Sequence, residues 1–257
     1  MVGYKKYAIY TCLTGGYDEL CQPLAIDDKF DYICFSNDIK EDRIGAWTIK
    51  PIPYRNDDNS RLSRYVKLLP HNALKEYEYS LWIDANIQIL NGDFYDMVLK
   101  RIAEDYPIYQ VPHPFNDCIY DEIRKSYMVR RLSLKDARKQ FRHLKEKGFP
   151  AHFGLFENGL MLRKHNDERV IRISQKWWDE YLAYSKRDQC SLAYVYWAEV
   201  FRPRYLFDES HGIRNVSCLL LKQHPAPLSL LKRNKVILFV GSNLRSLFRY
   251  LMVKLFL

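Results

Sequence analysis

An aspartate and an asparagine two residues apart, Asp84 and Asn86, follow the apolar run Leu81-Trp82-Ile83. Oxygen donors so spaced, at the end of a buried strand, can aim at one divalent cation, and Mg²⁺ or Mn²⁺ held there would also bind a nucleotide diphosphate. The competing reading is a turn in which both side chains cap backbone groups. A second candidate lies in Arg187-Asp188-Gln189-Cys190-Ser191-Leu192. Asp188 and Gln189 match the donors and acceptors of sugar hydroxyls, with Arg187 beside them for substrate, but the same triplet reads equally as an N-cap cluster. Glu157, in Phe156-Glu157-Asn158-Gly159, stands at the lip of a strand, either catalytic or solvated. His224, in Leu221-Lys222-Gln223-His224-Pro225, is a third metal ligand or a surface histidine.

These residues need strands to present them. Tyr7 to Leu13 is β-rich and stops at Thr14-Gly15-Gly16, a loop in which glycine lets the backbone approach a ligand. Tyr32 to Ser36, Trp47 to Ile52, Tyr79 to Ile83, Ile108 to Val111 and Gly159 to Arg163 are further strands. Helical spacing runs from Ser60 to Lys75, where Arg61, Arg64 and Lys67 form a basic face, and from Phe94 to Glu104. The charged, helix-favouring stretch from Cys118 to Lys147 ends at Gly148-Phe149-Pro150, and Ile171 to Tyr184 and Asp188 to Phe201 read as two more helices. Alternating strands and helices predict an α/β fold with chemistry at the strand ends.

The chain of 257 residues is long enough for one sizeable core. Its net charge of +9 implies an anionic partner. Six scattered cysteines without a CxxC pair exclude a zinc or thioredoxin-like motif and read as reduced core thiols. The N-terminal apolar run is too short for a signal peptide, and no run of about 20 apolar residues predicts a membrane span. A nucleic-acid binder is disfavoured because the aromatics sit inside apolar segments instead of alternating with Lys and Arg.

The order WIDANIQI, HPFNDCIYDE, GLFENGLMLRKHN, SKRDQCSL and a late histidine resembles the bacterial glycosyltransferase-like family formerly called domain of unknown function 616, related to plant proteins implicated in pectin or mucilage synthesis. The resemblance covers roughly residues 5 to 225. It implies a GT-A-type mixed sheet with flanking helices, a Rossmann-like nucleotide-binding half and an acceptor-binding half. Asp84-Ala85-Asn86 takes the place of the Asp-x-Asp motif, with an amide replacing the second carboxylate. By similarity to retaining galactosyltransferase-like enzymes, His224 completes the metal set with Asp84 and Asn86. The donor is a nucleotide sugar, with UDP expected. Arg64 and Lys67 are candidates for its phosphates, and Thr11 and Asp38 for the base or ribose. Asp188, Gln189 and Glu157 are the catalytic candidates. Arg163 lines the pocket, and His113, Asp117, Tyr120 and Glu122 contact acceptor or donor. Whether the anomeric configuration is retained or inverted stays open at this level, with retention expected. A non-catalytic sugar-binding or scaffold protein on the same frame is the alternative.

Residues 229–257 mix bulky apolar side chains with Lys232, Arg233, Lys235, Arg245, Arg249 and Lys254, and contain no acidic residue. The division is a glycosyltransferase domain at 1–228 and a basic amphipathic tail at 229–257. The tail reads as an interfacial helix on a membrane surface, against the alternative of a helix docked on the domain. That places the protein in the cytoplasm, peripheral on the inner face of the cytoplasmic membrane, where it would build cell-surface polysaccharide on a saccharide acceptor, lipid-linked in that setting.

Overall fold

The computed structural model describes residues 7–207, 212–223 and 248–257. An eight-stranded mixed sheet runs in the order β3 (Arg43–Ile44), β4 (Trp47–Lys50), β2 (Phe30–Phe35), β1 (Tyr7–Cys12), β5 (Tyr79–Ile83), β8 (Phe156–Arg163), β7 (Ile108–Pro112), β9 (Arg204–Tyr205). Strands β4, β2, β1 and β5 are mutually parallel, and β8 then runs antiparallel to both β5 and β7. This is the mixed α/β sheet expected from the sequence.

The parallel strands are apolar along their length because both faces are covered. Alternation sends Tyr10, Cys12, Ile33, Phe35 and Trp82 into one core, and Ile9, Cys34, Leu81 and Ile83 into the other. Burying each side chain of Leu or Ile size stabilises the fold by roughly 1.5–3 kcal/mol. On the first face lie helices α1 (Asn59–Leu68), α4 (Ile119–Met128), α5 (Leu134–Glu146), α6 (Glu168–Ala183) and α7 (Leu192–Ala198), with the short α2 (Pro70–Ala73) after α1. On the second lie α3 (Asp93–Ala103) and the antiparallel pair β6 (Ile87–Ile89) and β10 (Leu219–Leu221). All six cysteines are buried and unpaired. Among the described residues no helix is long and apolar enough to cross a membrane.

Three expected helices are broken, each for a local reason. The run from Ser60 to Lys75 stops at Leu69, because Pro70 disfavours helical backbone in the residue before it and opens α2 instead. The stretch from Cys118 to Lys147 splits where Arg130 takes a φ of 64°. Ser133 then caps α5, its hydroxyl accepting from the Asp136 amide at 3.0 Å. Asp188 to Phe201 is not one helix but a 3₁₀ turn, Asp188–Cys190, followed by α7.

Residues 248–256 are helical and lie against α4 and α5. Arg249 donates to the Tyr127 carbonyl and its guanidinium sits 4.6 Å from that ring's centroid. Arg124 donates through Nε and Nη2 to the backbone oxygen of Leu257, at 3.2 and 2.7 Å. Met252, Val253 and Leu257 pack on the first core. The described end of the tail is therefore docked on the domain, the competing reading of that segment. Residues 229–247 of the tail lie outside the described residues.

Candidate active site

Strand β5 ends at Ile83, and Asp84 follows on the Trp82 side of the sheet. Two donors hold Asp84 Oδ1: the Trp82 indole N–H at 2.7 Å and the Lys67 ammonium at 3.3 Å. Lys67 is buried at the end of α1 and reaches a second carboxylate, Asp188 Oδ2, at 3.1 Å. Arg64, one turn earlier, places Nε 3.3 Å from Asp188 Oδ1. The expected basic face of α1 thus points two of its three cations inward. Burial alone would raise the Asp188 carboxyl, but Arg64, Lys67 and Arg187 outweigh it and hold the group far below the usual carboxylate range. Asp188 therefore remains ionised and is a poor proton acceptor.

A rim surrounds this floor. The pairing of β7 with β8 jumps from Gln110–Met161 to Val111–Glu157, and this irregularity sets the direction of the residues that open β8. Glu157 is not a solvated lip residue. Its Oε1 pairs with Arg214 at 2.6 Å, its Oε2 is buried without a hydrogen-bond partner, and burial pushes its carboxyl up, opposed by Arg214 and reinforced by Asp84. Gln189 donates its amide to the Phe156 carbonyl and so ties the 3₁₀ turn to the start of β8. In the loop after β7, His113 Nδ1 accepts from the amides of Phe115 and Asn116, and its Nε2 faces buried Glu122 at 3.9 Å. Glu122 also accepts from Asn116 and Ser126. Burial lowers the His113 pKa, with Glu122 opposing, so the ring is neutral near pH 7. The half-buried Arg187 leaves Nε without a hydrogen-bond partner, and its charge acts on both Asp188 and His113.

Other expected residues stand elsewhere. Thr11 is fully buried with its hydroxyl unpartnered, and alternation puts it on the Ile9 side, opposite Tyr10 and Trp82. Asp38 fastens the loop after β1, its Oδ2 accepting from the Gly15 amide at 2.6 Å. Gly15 has a φ of 68°, and a Cβ there would fall 2.3 Å from Asn59 Nδ2, so glycine keeps this loop against the start of α1. Arg163 does not line the pocket. It is buried beneath the floor, donating to the Tyr10 hydroxyl and, at 2.6 Å, to the Lys67 carbonyl, where it positions α1. Asp117 is exposed and pairs with His152 at 2.9 Å, away from the buried cluster. Tyr120 donates to the Phe149 carbonyl and packs in the core. His224 lies outside the described residues. Sequence reading missed Trp82 and Arg214, which engage Asp84 and Glu157, and Phe115, an exposed aromatic with Lys125 and Arg214 near its ring. Trp82 was legible from its i−2 spacing to Asp84; Arg214 carried no local signal.

Of the expected metal set, Asp84 and Asn86 lie among the described residues. Asn86 donates its side-chain amide to the Lys222 carbonyl at 2.8 Å, and its own carbonyl accepts from the Lys222 amide at 2.9 Å, so it clamps the junction of β6 and β10. Among the described residues no three His, Cys, Asp or Glu come together. Asp84 Oδ2 faces Gly159, where a Cβ would stand 3.2 Å from it, so glycine keeps space open at the free oxygen. One free carboxylate oxygen at a partly exposed aspartate fits a cation that takes its other ligands from a diphosphate and water.

Solved structures similar to this chain include core-mannan synthase A from Aspergillus fumigatus in its Mn/GDP form, at 11% identity, covering 74% of this chain and 70% of that one, with a TM-score of 0.42. Mouse xyloside xylosyltransferase 1, apo form, is similar at 11% identity, covering 77% and 83%, with a TM-score of 0.42. The WbbM bifunctional glycosyltransferase, apo, is similar at 10% identity over 80% of this chain and 39% of that one, with a TM-score of 0.42. No curated protein matches the sequence. The model of one family matches residues 3–207, a span that includes the whole cluster from Lys67 and Asp84 to Asp188, and the chain therefore belongs to the TOD1/MUCI70 glycosyltransferase-like domain family.

Proposed function

We propose that this protein transfers a hexose from a nucleotide sugar, UDP-linked, to a saccharide acceptor, in the synthesis of a cell-surface polysaccharide. The observation that carries the reading is the Asp84–Lys67–Asp188–Arg64 array. It stands at the end of a parallel strand, where α/β sheets bind nucleotides, and holds two cations in place. A sugar nucleotide leaves as a diphosphate, and the developing charge needs preorganised positive groups. Arg64, a quarter exposed, faces that charge, and Asp188 fixes the direction of both Arg64 and Lys67. A divalent cation, Mn²⁺ or Mg²⁺, would be held by Asp84 Oδ2 and would neutralise the diphosphate.

Glu157, Arg214, His113 and Glu122 form the sugar and acceptor side. Asp188 is locked between two cations and Glu157 is paired with Arg214, so both candidate bases are engaged, which supports retention over inversion. A product of inverted configuration, read by NMR, would instead make Glu157 the base. The alternative of sugar binding without turnover rests on Asn86, an amide where the Asp-x-Asp motif has its second carboxylate. The basic tail supports a peripheral place on the inner face of the cytoplasmic membrane, beside a lipid-linked acceptor.

Isothermal titration against a panel of nucleotide sugars, with Mn²⁺ and with EDTA, tests the donor site. One donor binds in a metal-strengthened manner, and Asp84→Ala loses that binding at least tenfold, about 1.4 kcal/mol. Equal affinities of the two proteins for every donor would remove the proposal's basis.

A further inference from the structure

The excess positive charge is not spread evenly. Residues 124–147 hold ten Lys or Arg against two Asp or Glu, in a chain whose net charge is +9. In α5 the buried positions are Ala137, Gln140, His143 and Leu144. Lys135, Arg138, Arg142 and Lys145, spaced three and four apart, therefore form one stripe on the outer side. Like charges at this spacing repel one another and weaken a helix, a cost that an anionic partner would reverse.

The terminal helix lies beside that stripe. Phe256 stacks its ring 3.6 Å from the Arg138 guanidinium carbon, and Arg124 and Arg249 tie the same helix to α4. Its inner side packs on the domain through Met252, Val253 and Leu257. Its outer side exposes Phe248, Leu251 and Leu255, again three and four apart, with Lys254 alongside. A basic stripe next to an exposed apolar one is complementary to anionic headgroups above an acyl boundary, whereas a nucleic-acid strand would gain little from the leucines. Helix α4 connects this surface to the site, because it carries Glu122 on its buried side.

We propose that the α5 stripe and the terminal helix form one docking surface for an anionic lipid bilayer, holding the acceptor side of the cleft against the membrane. This deepens the peripheral-membrane part of the function proposed above and rests on it. It differs in giving the electrostatic half of the binding to the folded domain instead of the tail.

Flotation of the full chain with phosphatidylcholine vesicles, and with phosphatidylcholine–phosphatidylglycerol vesicles, tests it alongside two variants, Lys135→Gln/Arg142→Gln/Lys145→Gln and Leu251→Ser/Leu255→Ser. The unaltered protein floats with the anionic vesicles alone. The glutamine variant loses about a hundredfold in partition, at roughly a fivefold loss per cation near the surface. The serine variant also binds more weakly, and both keep donor affinity. Unchanged flotation of the glutamine variant, with loss in the serine variant, would overturn the shared surface and leave a membrane-bound tail. No flotation of the unaltered protein, or preferential capture of an oligonucleotide, would overturn both. Donor titration on the same samples reports on the transferase reading separately.

Discussion

The floor of the cleft and the outer surface of the molecule both hold ion pairs, yet they obey different physics. In the floor, Lys67 and Asp188 are each 3% exposed and share partners, so each charge is tolerated only because the others are present. On the outer surface, Asp117 and His152 are more than 60% exposed, and water competes for both. Removing one member of a buried array strands the remainder without solvent, whereas removing one member of an exposed pair changes little. Charges that look alike in sequence thus differ in what they hold together.

The largest effect expected is that of Asp188→Ala, which removes the ion-pair partner of Arg64 and leaves Asp84 as the one carboxylate beside both Arg64 and Lys67. It should destabilise the fold by about 3–5 kcal/mol in denaturant titration and abolish donor binding. A loss below about 1 kcal/mol would show the floor to be wetter than the contacts imply.

Acid draws the same line without a mutation. His165 is fully buried, with Nε2 2.7 Å from the Leu74 carbonyl oxygen, and burial pulls its pKa down to about 4. The unfolded chain, near 6.5, binds more protons than the folded one in that window. The contribution to stability is therefore complete above about pH 6.5 and is lost as pH falls towards 4, on the order of 3 kcal/mol. Denaturant titrations of the unaltered protein and His165→Asn across that window should diverge, and parallel curves would refute the assignment.

An intermediate effect is expected at Glu157, which joins floor to rim. Glu157→Gln keeps the shape but removes the charge that orients Arg214. It should raise the acceptor KM about tenfold, or 1.4 kcal/mol, with donor affinity unchanged. An equal loss in kcat and kcat/KM would instead assign Glu157 to the transition state. The smallest is Asp117→Ala, expected to alter stability by less than about 0.5 kcal/mol and to leave turnover intact. A strong loss of turnover there would move the acceptor site outward, beyond the rim.

Much of the sheet was legible because strands buried on both faces read as short apolar runs with turn residues after them, as Tyr79 to Ile83 does before Asp84. Helix ends were less legible. Pro70 and Ser133 signal their breaks locally, but neither competes visibly with the apolar spacing around it. Within the site, Asp84, Asp188, Lys67 and Arg64 could be nominated from residue type and position. Arg163 and Asp117 could not be sorted from them, since a buried guanidinium and an exposed carboxylate look the same in a string of letters.

The sequence by itself determined the alternation that builds the two cores, the strand end that bears Asp84, and the concentration of basic residues from 124 to 147. Tertiary structure alone decided that Lys67 lies between Asp84 and Asp188, that Asn86 serves Lys222, and that Arg214 reaches Glu157. Periodicity is a local property that backbone geometry imposes on neighbouring residues, and so it can be read along the chain. Pairings between residues 17, 57, 121 and 136 positions apart depend on how the layers stack, which no local pattern encodes.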